Sequence, residues 1–262
     1  MAKFSKQKPL DVSWINLHDP AGSLRKRLHP YAEPIYREFV SNALPKNSCE
    51  ILGVRVAEIR LSVKEAIEAG GEQFLNGLLF PKKRSSKLDF CEGRMAAAFL
   101  IGQLKFDFDK RLDAITAFLP LVDSWCVCDT LCAAVKPKPF EKPDLWDYVG
   151  MCLASEKPYD QRVAVVMMLK HFILPNYIDE VLERVENLAE RGIAEHTVSM
   201  GVAWLLCEAF IKQPDATMNY LERNSLDDAT FNRALQKICD SFRVDSATKK
   251  EIRAMKRAQR QR

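Results

Sequence analysis

Apolar residues recur along the chain at helical spacing almost throughout. In residues 55–69, Val56, Ile59, Val63 and Ile67 fall three or four positions apart, which places them on one face of a helix. The same spacing predicts helices over 71–80, 88–104, 108–122, 123–135, 142–154 and 159–173. It predicts five more over 177–191, 194–211, 217–224, 227–242 and 245–260. No stretch alternates apolar and polar residues between turn signals as a strand does. Pro120, Pro158, Pro175 and Pro214 fall at breaks, where a missing N–H costs little. Asp245 or Ser246 suits the cap of the last helix, and Ser225 or Asp227 that of the one before. The segment before Tyr31, with Trp14, Leu17 and Leu28 among charges, reads as an extra helix or as an extension packed on the first repeat.

Strongly apolar helices recur around Met95, Trp125, Val163, Ala203 and Leu235, at intervals of 30, 38, 40 and 32 residues. Self-similarity of this kind marks stacked helix pairs. The expected fold is therefore all-α, a curved α-solenoid of HEAT-like helix pairs; an irregular helical domain without repeats is the alternative. Residues 1–30 form an N-terminal extension in this reading, and residues 31–262 one repeat domain. The proline-rich stretch KPKPFEKP, residues 136–143, connects two repeats. A solenoid has a concave face, where extended ligands bind.

Composition narrows the picture further. The 262 residues are 47% hydrophobic and 28% charged, enough to bury a core without metals or disulfides. Ten Gly and 13 Pro disfavour a turn-rich sandwich or propeller. No apolar run approaches the roughly 18 residues a membrane span requires. Residues 1–10 carry Lys3, Lys6 and Lys8 without an apolar core, so no secretion signal is expected. A cytoplasmic protein is therefore expected, with its eight Cys as reduced, buried thiols. The net charge is +4. Residues 249–262 hold seven basic residues and one acid, so the remainder carries a net charge of −2. Any nucleic-acid surface must then be a local patch.

Several chemistries lack their motifs. There is no phosphate-binding loop, no dinucleotide fingerprint, no H-E-x-x-H and no G-x-S-x-G elbow. The four His are far apart. Cys126, Cys128 and Cys132 lie on one helix at a spacing that does not bring four metal ligands together. They read as small core residues, and neither a metal nor a cofactor is expected.

One segment stands out, Asp123-Ser-Trp-Cys-Val-Cys-Asp129. Trp125 and Asp129 are four apart and share a helix face. An indole with a carboxylate one turn on can hold a sugar or a cationic base and stabilise positive charge developing beside it. The plainer alternative is a core Trp and a surface Asp. Arg162 heads the apolar run Val163 to Leu169. It reads either as an ion pair with Asp129 or as an arginine presented to phosphate. Trp204 lies one repeat further on, in a core-like helix. Trp125, Asp129, Arg162 and Trp204 thus fall on successive inner helices and can line one groove. Arg55, Arg60, Lys82, Lys83, Arg84, Lys170 and the C-terminal tail are candidate backbone contacts, each also readable as a solvated surface charge.

These residues resemble a known family, the AlkD-type alkylpurine DNA glycosylases built from HEAT-like repeats. The resemblance runs from about Tyr36 to Lys256. It rests on Leu52-Gly-Val-Arg-Val-Ala-Glu-Ile-Arg60, Val122-Asp-Ser-Trp-Cys-Val-Cys-Asp-Thr-Leu131, Gln161-Arg-Val-Ala-Val-Val-Met-Met-Leu169, Val202-Ala-Trp-Leu205 and the 226–256 region, in that order. It implies hydrolysis of the N-glycosidic bond of purines alkylated at N3 or N7, in double-stranded DNA held on a concave face. It also implies a monomer, associated with the nucleoid when bound to DNA; the lack of a long apolar run adds that no membrane partner is expected. Carried over by match, Trp125 and Trp204 are the groove tryptophans on the lesion's deoxyribose, Asp129 the catalytic carboxylate and Arg162 the arginine beside the backbone. A tyrosine the family carries in its N-terminal repeat has no counterpart in Asn42-Ala-Leu-Pro45. Against this glycosylase stand two other readings: a catalytically silent repeat protein for damaged, bent or branched DNA, and a protein-binding scaffold.

Overall fold

The computed structural model describes residues 10–44, 48–82, 87–193 and 195–258, and among these the chain is all-α, with two isolated bridges and no strand. The helices are α1 (Pro20–Leu28), α2 (Pro34–Ala43), α3 (Val56–Glu68), α4 (Gly71–Leu79), α5 (Cys91–Gln103), α6 (Phe108–Phe118) and α7 (Trp125–Ala134). They continue as α8 (Lys142–Ala154), α9 (Pro158–His171), α10 (Ile178–Glu190), α11 (His196–Lys212), α12 (Pro214–Glu222), α13 (Asp228–Asp240) and α14 (Ser246–Ala254). Lys3, Lys6, Lys8, Pro45, Lys83, Arg84 and the end of the basic tail lie outside the described residues. Among the described residues no helix is long and apolar enough to cross a membrane.

Helix boundaries differ from the apolar pattern where local chemistry intervenes. The helix expected over 88–104 starts at Cys91, because Asp89 O accepts from Glu50 N–H and Glu50 O from Cys91 N–H, holding residues 88–90 extended. Pro214 is the first residue of α12 rather than part of a break before residue 217, as suits a residue without an N–H. The helix expected to reach residue 260 stops at Ala254. There the chain turns back onto α13: Asn232 and Arg257 exchange two hydrogen bonds, and the Arg257 guanidinium donates to Leu226 O. Ile252 is fully buried, and α14 covers α13. Helix α2 was not foreseen; it starts at Pro34 and buries none of its residues.

The caps resolve to Asp245, which accepts from the N–H groups of Ala247 and Thr248, and Asp227, which accepts from Thr230 N at 2.9 Å. Asp227→Ala leaves that donor without its acceptor. It is expected to lower stability by about 1 kcal/mol, read as a shift of the chemical-denaturation midpoint at unchanged slope.

The chain forms two compact units, Met1–Lys136 and Pro137–Arg262. In the first, α3, α5 and α7 pack in succession, with α4 against both α3 and α5. In the second, α9, α11 and α13 pack in succession, with α8 on α9, α12 on α11 and α14 on α13. Contact between every second helix is the pattern of stacked helix pairs, and it follows the repeat in the sequence. Side chains tie neighbouring pairs at nearly that period. Arg184 donates to Trp146 O, Arg191 to Leu153 O, Trp146 Nε1 to Glu180 and Arg243 to Glu208, across 34 to 38 residues. Arg27–Glu65 and Lys110–Glu72 do the same in the first unit, each across 38 residues.

The inner helices explain the apolar runs. Val163 to Leu169 of α9 are all buried, as are Ala96 to Ile101 of α5, because inner helices meet neighbours on every side. Residues 10–30 belong to the first unit. Ala21, Leu24 and Leu28 of α1 are buried, and Trp14 donates Nε1 to Glu65 while its ring meets Phe74 edge-on at 5.8 Å. Glu65, almost fully buried, is paired with Arg27 as well. All eight cysteines are free. Six are buried as expected, but Cys49 and Cys126 are only half-buried.

Candidate functional site

A cleft of about 460 Å³ opens within the first unit. Four segments line it, the helices each with one stripe of side chains. Helix α7 gives Trp125, Cys126, Asp129, Thr130 and Ala133; α5 gives Cys91, Glu92, Met95 and Phe99. Helix α2 gives Tyr36, Phe39, Val40 and Ala43, and the segment into α3 gives Val54, Val56 and Arg60. Spacings of one, three and four are those of a helix face. The walls are mainly aromatic and aliphatic, with Asp129, Glu92 and Arg60 as the charged groups.

Helix α7 explains the position of Trp125 and Asp129. Its other face, Val127, Cys128, Leu131 and Cys132, is fully buried against the core. That burial fixes the rotation of the helix and turns Trp125 and Asp129 to the cleft. Cys128 and Cys132 are thus core residues, as the sequence suggested. Trp125 is 40% exposed, and its Nε1 donates to Ala43 O at 2.9 Å. The indole is pinned to the end of α2 and still presents a face. Asp129 is half-buried one turn further on.

A buried carboxylate shapes the opposite wall. Glu92, 3% exposed in the first turn of α5, accepts from the backbone N–H of Leu52, Gly53 and Val54 at 3.0, 2.7 and 3.2 Å. It collects the donors of a tight loop that contains Gly53 at φ 88°. A Cβ at Gly53 would lie 2.7 Å from Glu33 O, so the loop requires glycine twice over. Asp123 does similar work at the entrance to α7, accepting from Cys49 N at 2.7 Å and pairing with Arg94 at 2.7 Å. Arg94 also holds the carbonyls of Leu88 and Leu121.

Two thiols meet at the base of this wall. Cys91 and Cys126, in the first turns of α5 and α7, have their sulfurs 3.1 Å apart. The Cys126 thiol is shifted down, chiefly because Cys91 donates to its sulfur, with Ser124 and the Val127 N–H helping against burial. The Cys91 thiol is pushed far up, first by that same hydrogen bond, then by one to Cys49, then by burial.

The basic candidates separate. Arg60 lines the cleft with its guanidinium 4.9 Å from the Phe99 ring centroid. Arg55 is exposed beside it, paired with Glu33 at 2.8 Å and lying 3.9 Å from the Tyr36 ring centroid. Each partner reinforces the other's charge: Glu33 raises the Arg55 pKa and Arg55 lowers that of Glu33. Arg162, Lys170 and Trp204 belong to the second unit. Lys170 places its ammonium 4.7 Å from the Trp204 ring centroid, and that indole is half-buried. Arg162 is 5% exposed and donates Nη1 to Thr197 O at 2.7 Å, at the start of α11. In the tail, Arg257 is engaged with Leu226 O and with the Phe231 ring at 3.9 Å.

The structure therefore brings Trp125, Asp129 and Arg60 together in one cleft, with Arg55 at its side. Sequence reasoning missed Tyr36, Phe39, Glu92 and Met95. The first two carried a signal, since Pro34 opens a run in which Tyr36, Phe39, Val40 and Ala43 recur at helical spacing. They supply aromatic walls from the N-terminal region although Asn42-Ala-Leu-Pro45 has no aromatic residue. Among the described residues no cluster of His, Cys, Asp or Glu is arranged to hold a metal ion.

Fold and cleft together define an all-α protein of stacked helix pairs, with an aromatic-walled cleft that presents one carboxylate beside an indole. The chain belongs to the DNA alkylation repair enzyme family, whose profile matches residues 24–238. It is a member of a family of repair enzymes that work on DNA. No curated protein matches the chain by sequence.

Proposed function

We propose that the protein is a monofunctional DNA glycosylase, hydrolysing the N-glycosidic bond of N3- or N7-alkylated purines in duplex DNA. The observation that carries this reading is Trp125 and Asp129 on one cleft-facing side of α7, where the other walls are aromatic and aliphatic. A purine alkylated at N3 or N7 is cationic and departs as a neutral base, so it needs little acid assistance. Positive charge then develops on the deoxyribose, as in glycoside hydrolysis. Asp129 stabilises that charge and positions the attacking water. The indole face of Trp125 adds attraction to the same cation. Asp129 is flanked by Cys128 and Thr130 rather than by a lysine, which accords with hydrolysis instead of Schiff-base chemistry.

The test is single-turnover release of base from duplex DNA containing 7-methylguanine or 3-methyladenine. Release supports the reading. Absence of release with salt-sensitive duplex binding retained would replace it by a silent DNA binder, and absence of both by a protein scaffold.

In this reading Arg60 is a backbone contact at the rim of the cleft. Arg60→Ala is then expected to weaken binding to damaged and undamaged duplexes alike. The slope of log affinity against log salt should fall by about one unit, measured by fluorescence anisotropy across a salt series. An unchanged slope would remove Arg60 from the interface.

A further inference from the structure

The cysteines at the base of the cleft have no part in the chemistry proposed above. Cys91 and Cys126 come from the first turns of neighbouring inner helices, and their sulfurs stand 3.1 Å apart without a bond. A disulfide needs about 2.05 Å, so closure requires an approach of about 1 Å. Both side chains line the cleft, and Cys126 is half-buried, so a small oxidant can reach the pair. The third sulfur nearby is restrained differently: Cys49 donates its thiol to Asp123 Oδ1 at 3.7 Å, which turns it to the carboxylate. Cys126 is next to Trp125 in the chain, so any movement of its sulfur acts on the indole held by Ala43 O.

We propose that Cys91 and Cys126 are a thiol pair that a peroxide converts reversibly to a disulfide, tying the first turn of α5 to that of α7 at the base of the cleft. The Cys126 thiolate attacks one peroxide oxygen. The S–O bond forms as the O–O bond breaks, and the departing hydroxide takes up a proton to leave as water. The Cys91 thiol then loses its proton and its sulfur attacks the Cys126 sulfur. The S–O bond breaks and the second oxygen leaves as water. Two thiols and one hydrogen peroxide give one disulfide and two waters. Cys126 is the thiol of the pair whose ionisation is favoured, chiefly by its hydrogen bond with Cys91 and also by that with Ser124, and thiolates are the reactive form. The consequence is a repositioned Trp125 in the oxidised protein.

The experiment treats the full chain with substoichiometric, then equimolar, hydrogen peroxide and reads intact mass and a non-reducing peptide map. The expected product has lost two hydrogen atoms, carries a cross-link between the peptides of Cys91 and Cys126, and returns to the starting mass with dithiothreitol. In Cys91→Ser the resolving sulfur is gone, so a sulfenic acid should accumulate at Cys126 and be trapped by dimedone. A cross-link to Cys49 instead, or oxidation spread over the eight cysteines without preference, would overturn the proposal. So would the absence of any cross-link in folded wild-type protein. None of these readouts depends on glycosylase activity. A further comparison, binding of the oxidised and reduced protein to duplex containing 7-methylguanine, should show weaker binding after oxidation that dithiothreitol restores. Equal binding would overturn the coupling to Trp125.

Discussion

Asp129→Asn is expected to slow single-turnover release of 7-methylguanine or 3-methyladenine by at least tenfold, while duplex affinity stays the same or rises. A tenfold loss corresponds to about 1.4 kcal/mol in the barrier. The attraction at stake is larger. A carboxylate about 4 Å from a developing unit charge contributes about 4 kcal/mol at the effective dielectric of a half-exposed protein site. Such a loss would slow release by about a thousandfold. Asparagine keeps the shape and one acceptor oxygen but not the charge, so packing on α7 is conserved and the effect isolates the electrostatic part. Binding moves the other way, if at all, because removing a negative charge eases the approach of phosphates. A parallel fall in affinity and rate would place Asp129 in binding alone. An unchanged rate would remove it from the chemistry.

This prediction was readable before the structure because it concerns one helix. Trp125 and Asp129 are four residues apart, and a single helical assignment puts them on one face. The stacked pairs were readable for a related reason: inner helices are apolar all round, and their recurrence survives in the sequence as runs such as Val163 to Leu169. The wall built by α2 was harder. That helix buries no residue, so it lacks the run that marks the inner helices, and its apolar side faces the cleft. Charge was the least readable property, because sequence does not show a side chain's partners. Arg55 is bound to Glu33 and Tyr36, and Arg257 is spent on the fold of α13 and its tail. Arg162 of α9 is buried and holds the Thr197 carbonyl at the start of α11. The Cys91–Cys126 pair joins residues 35 apart, one repeat, so only knowledge of how the repeats register would bring the two together.

Glu92 shows the same limit and gives the second large effect. Its acceptors serve donors 38 to 40 residues earlier, and in the sequence it is one carboxylate among many. Glu92→Ala leaves the N–H groups of Leu52, Gly53 and Val54 buried without an acceptor, and each unsatisfied group costs on the order of 1–3 kcal/mol. Relaxation of the loop to admit water recovers part of this. The net loss expected is about 3 kcal/mol, measured by chemical denaturation. Glu92→Gln is milder, at about 2 kcal/mol, because its carbonyl still accepts two of the three donors while its amide meets the third. Hydrogen exchange locates the damage: the amides of residues 52–54 should lose protection in Glu92→Ala before the buried amides of α5 do. Activity should fall as well, since the loop carries Val54 and leads into Val56 and Arg60 on the wall facing Trp125. Asp129→Asn is expected to stay folded and lose the chemical step. Glu92→Ala is expected to lose the wall, so its activity should recover in part when the fold is stabilised by an osmolyte. A Glu92→Ala protein with native stability and protected loop amides would show that other groups hold this loop, and that the carboxylate faces the cleft for a different purpose.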